Sequence, residues 1–94
     1  MTLIGREKLK QFTIKHPDAL RWIEIWIAEV CDNRWRGPQD IKKRYASASF
    51  LSDNKVIFNV KGNDYRLEVQ VAYSTGTVFV KWVGTHSEYD KRYK

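Results

Sequence analysis

The sequence predicts an α+β fold: a twisted sheet, antiparallel with a mixed edge, packed on N-terminal helices and followed by a short C-terminal helix. Three observations predict it. Apolar residues recur at helical spacing through the first half of the chain, and their period changes to two near residue 55. A helix-capping pattern, Thr85 with Glu88 three residues on, then stands close to the C-terminal end.

The helical half begins after Met1-Thr2-Leu3-Ile4-Gly5, apolar enough for a brief edge strand. Arg6 to Lys15 carries Leu9, Phe12 and Ile14 among basic residues and reads as a short amphipathic helix. His16-Pro17-Asp18 breaks it, because a residue before proline is pushed out of the helical region. Asp18 is expected to cap a longer helix reaching about Arg34. Its stripe of Ala19, Trp22, Ile23, Trp26, Ile27 and Val30 would be buried. Gly37-Pro38 ends that segment, and Gln39 to Tyr45 adds a helical turn or two. Ile41 points to the core there, and Lys42, Lys43 and Arg44 point to water.

In the second half Val56, Phe58 and Val60 alternate with polar neighbours, as do Tyr65, Leu67, Val69, Val71 and Tyr73; a third strand runs from Thr77 to Val83. Gly62-Asn63 suits a tight hairpin turn, which sets Val60 opposite Tyr65 and Asn59 opposite Arg66. With Thr75-Gly76 as the next tip, Tyr73 would face Val78, Val71 face Val80, Gln70 face Lys81 and Val69 face Trp82. All apolar strand positions except Ile57, Ala72, Phe79 and Val83 then share the helix-covered face. The other face is expected to be a mainly cationic floor of Lys55, Asn59, Lys61, Arg66, Glu68, Gln70 and Lys81. The capping box starts a helix at His86 and puts His86, Tyr89 and Asp90 on one side of it, at the rim of that floor.

Composition bounds the rest. Ninety-four residues make a single domain, 1–94, with one hydrophobic core. An apolar content of 43% with four Trp, five Tyr and four Phe excludes a disordered chain. No run of eighteen apolar residues and no apolar stretch behind a basic N-terminus occurs, so neither a membrane span nor a secretory leader is expected, and a cytoplasmic location fits. Cys31 stands alone and reads as a small buried apolar residue; one Cys and two His far apart give no zinc pattern, so neither metal nor cofactor is expected. A net charge of +6 favours polyanions, nucleic acid first, against the alternative of a merely soluble basic surface.

Two segments carry a resemblance that spans nearly the whole chain. Phe58-Asn59-Val60-Lys61-Gly62-Asn63-Asp64-Tyr65-Arg66-Leu67, followed by Gly84-Thr85-His86-Ser87-Glu88-Tyr89-Asp90, resembles the HigB toxins of the RelE/ParE superfamily. Leu3-Ile4, Leu9-Lys10 and His16-Pro17 fit it as well. The resemblance implies a RelE-like fold and the toxin of a type II toxin–antitoxin pair, an endoribonuclease cutting mRNA, usually on the ribosome. It also implies a cognate HigA antitoxin carrying a helix-turn-helix, with operator DNA bound only through the complex.

For such an enzyme the RNA 2′-hydroxyl is the nucleophile. The expected products are a 2′,3′-cyclic phosphate and a 5′-hydroxyl, without a metal. Arg66 is the candidate phosphate clamp, since its planar fork stays charged and can hold two oxygens. His86 is the acid–base candidate near neutrality, unless it is merely solvent-exposed or bonded to its own turn. Tyr89 would donate a proton, stack on a base, or simply pack on the sheet edge. Lys55, Lys61 and Lys81 would neutralise RNA phosphates, and Asn59 would orient Arg66 or the scissile phosphate. Glu68 reads either as a charge partner of Lys81 and Arg66 or as a general base, and Asp90 as a partner of Lys91, Arg92 or Lys94. The competing class is a non-catalytic toxin on the same scaffold, such as a ParE-like topoisomerase poison, or a basic RNA-binding module. The set of Arg66, His86 and Tyr89 argues for the enzyme.

Overall fold

The computed structural model describes residues 1–92. Strand β1 (Thr2–Ile4) leads into α1 (Arg6–Lys15), a single 3-10 turn (Pro17–Ala19), α2 (Leu20–Asp32) and α3 (Pro38–Arg44). Strands β2 (Ser49–Leu51), β3 (Lys55–Val60), β4 (Tyr65–Ala72) and β5 (Thr77–Thr85) follow, then α4 (His86–Arg92). The fold is α+β as expected. The strands form one sheet in the order β1-β5-β4-β3-β2, and the mixed edge arises because β1 alone runs parallel to its neighbour β5.

The first three helices bury the expected stripe. Ala19, Ile23, Trp26 and Val30 of the α2 segment are closed off from solvent, with Leu9 and Phe12 of α1 and Ile41 of α3. Phe58 sits at the centre of this core, its ring 5.1 Å from Tyr45, 5.5 Å from Trp26 and 6.4 Å from Trp35. Burial first, and then hydrogen bonding to Glu29, push the Tyr45 hydroxyl well above the ordinary tyrosine range, so it stays a donor to that carboxylate.

Local chemistry departs from expectation at three points. Asp18 does not cap α2, which begins after Ala19 with no side-chain cap. Its carboxylate is taken by Tyr65 Oη, which donates at 2.7 and 2.9 Å, and by Lys61 Nζ at 2.9 Å. Ile14 lies off the buried face of α1 and is 72% exposed. Cys31 is exposed on α2, where its Sγ accepts from Arg6 Nη2 at 3.0 Å.

The β3–β4 hairpin has the expected register, with Asn59 opposite Arg66 and Val60 opposite Tyr65. Positive φ falls on Lys61 and Gly62 rather than on Gly62 and Asn63. The β4–β5 register is corrected by two residues: Val71 faces Val78 and Val69 faces Val80. An irregularity between Glu68 and Val69 then leaves Lys81 as an extra residue, so Glu68 faces Trp82 and Leu67 faces Val83. A bulge of this kind turns the rest of the strand over. Val83 joins the helix-covered core and Trp82 moves to the opposite face, the reverse of the sequence expectation. Sequence reasoning also missed β2, although Asp53-Asn54, both at positive φ, is a hairpin-turn signal in the three-residue loop that joins it to β3.

Candidate active site

The face of the sheet away from α1, α2 and α3 carries Lys55, Asn59, Arg66, Glu68, Gln70, Trp82 and Gly84, paired across β3, β4 and β5. It is less of an open cationic floor than the alternation suggested. Ile57 and Glu68 are 2% and 3% exposed, the latter beneath α4.

Helix α4 is set on this face by its capping box. Thr85 N–H donates to Glu88 Oε1 at 2.8 Å, and Glu88 N–H donates to Thr85 Oγ1 at 3.1 Å. Hydrogen bonds to the carboxyl itself, from the Thr85 backbone N–H first and the Thr85 hydroxyl second, hold Glu88 below the usual carboxylate range. The His86 N–H donates to Asp64 O at 3.1 Å, which latches the start of α4 to the β3–β4 hairpin. Gly84 makes room for the packing. A Cβ there would stand 2.6 Å from the Trp82 indole and 2.8 Å from Glu88 Oε1, so any side chain would displace one of them.

The hairpin and α4 bring Arg66, His86 and Tyr89 to one end of the face. Arg66 lies with its Cζ 5.9 Å from the Tyr89 ring centre. Its guanidinium donates to Asn63 O, Asn63 Oδ1 and Tyr65 O at 3.1–3.3 Å, so the hairpin turn fixes its plane. His86 Nδ1 lies 2.9 Å from Asp90 Oδ2 one helical turn on. Asp90 therefore partners His86 and not Lys91 or Arg92; Lys94 lies outside the described residues. Tyr89 leans on Trp82 at 6.2 Å, and Trp82 in turn lies beneath Arg92, 5.3 Å from its Cζ. Arg92 Nη2 approaches Glu68 Oε1 at 3.6 Å. Glu68, weighed above as a base or a charge partner, is the buried carboxylate to which the end of α4 is tied.

The remaining sequence candidates are not all brought to this cluster. Asn59 stands directly across from Arg66, with Nδ2 3.5 Å from Ser47 O. Lys55 is four residues further along β3, roughly 13 Å away at strand rise. Lys81 projects from the bulge, with Nζ 5.6 Å from the Phe79 ring centre. Lys61 turns toward the helix side into its ion pair with Asp18, because positive φ swings it off the alternation of β3. Its ammonium is held above the usual lysine range by Asp18, through the hydrogen bond first.

A family model for the RelE-like HigB toxin, the toxic component of a toxin–antitoxin system, matches residues 19–92. The chain belongs to the HigB toxin family. It is 26% identical over 92 residues to the mRNA interferase toxin HigB of Escherichia coli K12, covering 96% of this chain and 88% of that one. The mRNA interferases HigB of Escherichia coli O157:H7 and Shigella flexneri match to the same degree.

Within this HigB-family chain, sequence reasoning missed Trp82 and Arg92. Trp82 was hidden by the bulge, which no residue type announces. Arg92 was legible: it stands three residues after Tyr89, on the same side of α4. Among the described residues no group of His, Cys, Asp or Glu side chains is arranged to hold a metal ion, and no helix is long and apolar enough to cross a membrane.

Proposed function

We propose that this toxin is a cytoplasmic mRNA interferase that cleaves RNA through the substrate's own 2′-hydroxyl, acting on ribosome-bound messenger and silenced by a HigA-type antitoxin. One observation carries the chemistry. A tyrosine stands beside an arginine fixed by the β3–β4 hairpin, and the same short helix carries a histidine oriented by a carboxylate. The names of the HigB relatives support the substrate class.

The residues divide the work. With Nδ1 engaged by Asp90, His86 exchanges protons through Nε2, the arrangement in which an orienting carboxylate fixes an acid–base imidazole. Arg66 carries five N–H donors, and the hairpin contacts hold its plane without exhausting them, so it can still meet phosphate oxygens. Its charge stabilises the dianionic phosphorane. Tyr89, between Arg66 and Trp82, donates a hydrogen bond or proton to the departing 5′-oxygen. Attack by the 2′-oxygen leaves a 2′,3′-cyclic phosphate and a 5′-hydroxyl. Lys55, Asn59 and Lys81 guide the RNA backbone along the sheet, whereas Lys61 serves the fold through Asp18. Glu68 and Arg92 position α4 and do not exchange protons with RNA.

The test is cleavage of ribosome-bound messenger by the purified toxin. Activity unchanged by chelator, blocked by a 2′-deoxy group at the cleaved nucleotide and giving cyclic phosphate ends is expected. Products ending in a 3′-hydroxyl, or activity abolished by chelator, overturn the mechanism.

A further inference from the structure

Beside the candidate active site, α1 and β5 enclose a second concave surface. It is a groove of about 530 Å³ lined by Lys8 and Lys15 of α1, by His16, and by Lys81, Trp82 and Gly84 of β5. Strand β1 pairs with β5 only at residues 77–79, so beyond Phe79 the neighbour of β5 on this side is α1 and the space between them opens. The exposed Ile14 and the ring of Phe12 give the groove an apolar wall.

Two features tie this groove to the RNA chemistry. First, its charge is cationic: Lys8, Lys15 and Lys81 converge there, against the single carboxylate of Glu88, which is engaged by the Thr85 N–H and hydroxyl-assisted cap. Second, it shares a wall with the site. Trp82 lines the groove and also packs on Tyr89 and Arg92, and the absence of a side chain at Gly84 leaves room for its indole. The bulge that turned Trp82 to this face also projects Lys81 beside it.

We propose that the α1–β5 groove is a second nucleotide subsite. A single RNA strand leaves the Arg66–His86–Tyr89 cluster, passes over Trp82 and Gly84, and lays a flanking nucleotide between Lys8, Lys15 and Lys81. The phosphates meet the three ammonium groups, and a base packs against the apolar wall of Phe12 and Ile14, the combination of charge and apolar contact that single-strand binding surfaces use. This rests on the ribonuclease reading and adds to it a footprint longer than the cut itself. The alternative occupant, an extended acidic segment of a protein partner, would use the same charges but has no need of a wall shared with the cluster.

The experiment titrates the full chain, inactivated by His86→Gln, with a single-stranded RNA trinucleotide and octanucleotide, with and without Lys8→Gln/Lys15→Gln. Both lysines are exposed on α1, and glutamine is a good helix former, so the fold is retained. The pair should leave trinucleotide affinity unchanged and remove the affinity gained by lengthening. The salt slope on the octanucleotide should fall by about 1.4, two contacts at about 0.7 each. Equal octanucleotide affinity and slope in the two proteins overturns the subsite while leaving the ribonuclease reading standing. So does a loss confined to binding of the antitoxin, which would assign the groove to protein. Failure of both oligonucleotides to bind at low salt also overturns the subsite, and leaves the ribonuclease reading to the cleavage test on ribosome-bound messenger.

Discussion

Arg66 is held by three acceptors of its own hairpin, so replacing it removes a preplaced charge without opening the core. Arg66→Ala should lower cleavage by about 10²–10³-fold, the usual cost of one preorganised transition-state contact. Urea unfolding should register about 1 kcal/mol, the scale of a modest net hydrogen-bond loss. Arg66→Lys, which keeps charge but not the fork, should fall between. Asp90 makes a sharper test. If it acts only by orienting His86, Asp90→Asn should slow cleavage, and adding it to His86→Gln should cost nothing more. A further loss in the double variant would mean that Asp90 works on its own. That partnership was only half legible. The i, i+4 spacing of His86 and Asp90 is visible in the sequence, yet charge favours Lys91, Arg92 or Lys94 as the partner of Asp90, and of these only Lys91 and Arg92 are among the described residues. On a helix they are one and two residues from Asp90 and do not face it.

Among the elements, helices were the most legible part of the chain. α1 ends where His16-Pro17 said it must, and α4 begins where the capping box placed it. The first hairpin was also readable, since a glycine at a tight turn fixes pairing within a residue. The second was not: Tyr73 to Gly76 form a loop longer than two residues, and the bulge at Lys81 is invisible in composition. The cluster around Trp82 therefore escaped notice even though every one of its residues had been named as strand or helix. Two changes probe this element. Gly84→Val should displace the indole or the Glu88 cap and lower both thermal stability and cleavage. Thr85→Ala should destabilise α4 by about 0.5–2 kcal/mol, the usual cost of losing a cap. Because α4 lies at the margin of the fold, hydrogen exchange should rise in α4 well before the sheet amides respond. Cleavage should fall with it, and unchanged protection of residues 86–92 would refute the cap's role.

At the scale of the whole molecule, Asp18 joins parts far apart in sequence: the turn before α2, the β3–β4 hairpin through Lys61, and β4 through Tyr65. Tyr65 in turn packs against Phe12 and His16 at about 5 Å, so the first inter-helix turn and the β3–β4 hairpin share one cluster. Hydrogen bonds from Lys61 and then Tyr65 hold the Asp18 carboxyl below its ordinary 3.8. A group depressed in the folded state contributes stability above its unfolded value and loses it as pH falls through the folded one. The wild-type protein should therefore lose stability below about pH 4 more steeply than Asp18→Asn, which should be the less stable of the two near neutrality. Lys61, raised by the same pair, contributes below 10.5 and loses its share as pH rises through its higher folded value, so the alkaline limb should flatten in the variant too. Parallel acid limbs in the two proteins would show that the pair is incidental. None of this was legible, because Asp18 beside a helix start has a local explanation that needs no distant partner.

The bulge at Lys81 also has a genetic consequence. Most substitutions on β5 leave its alternation intact, and removing the single codon for Lys81 takes out the extra residue of the bulge, which restores regular pairing and keeps everything after it on its present side. Trp82 would stay opposite Glu68, Val83 opposite Leu67, and α4 would still start from the same side of the sheet. In a scan for chains that no longer arrest growth, in-frame loss of this codon should therefore be missing from the null alleles. Replacement of Lys81 by glutamine should keep most of the toxicity.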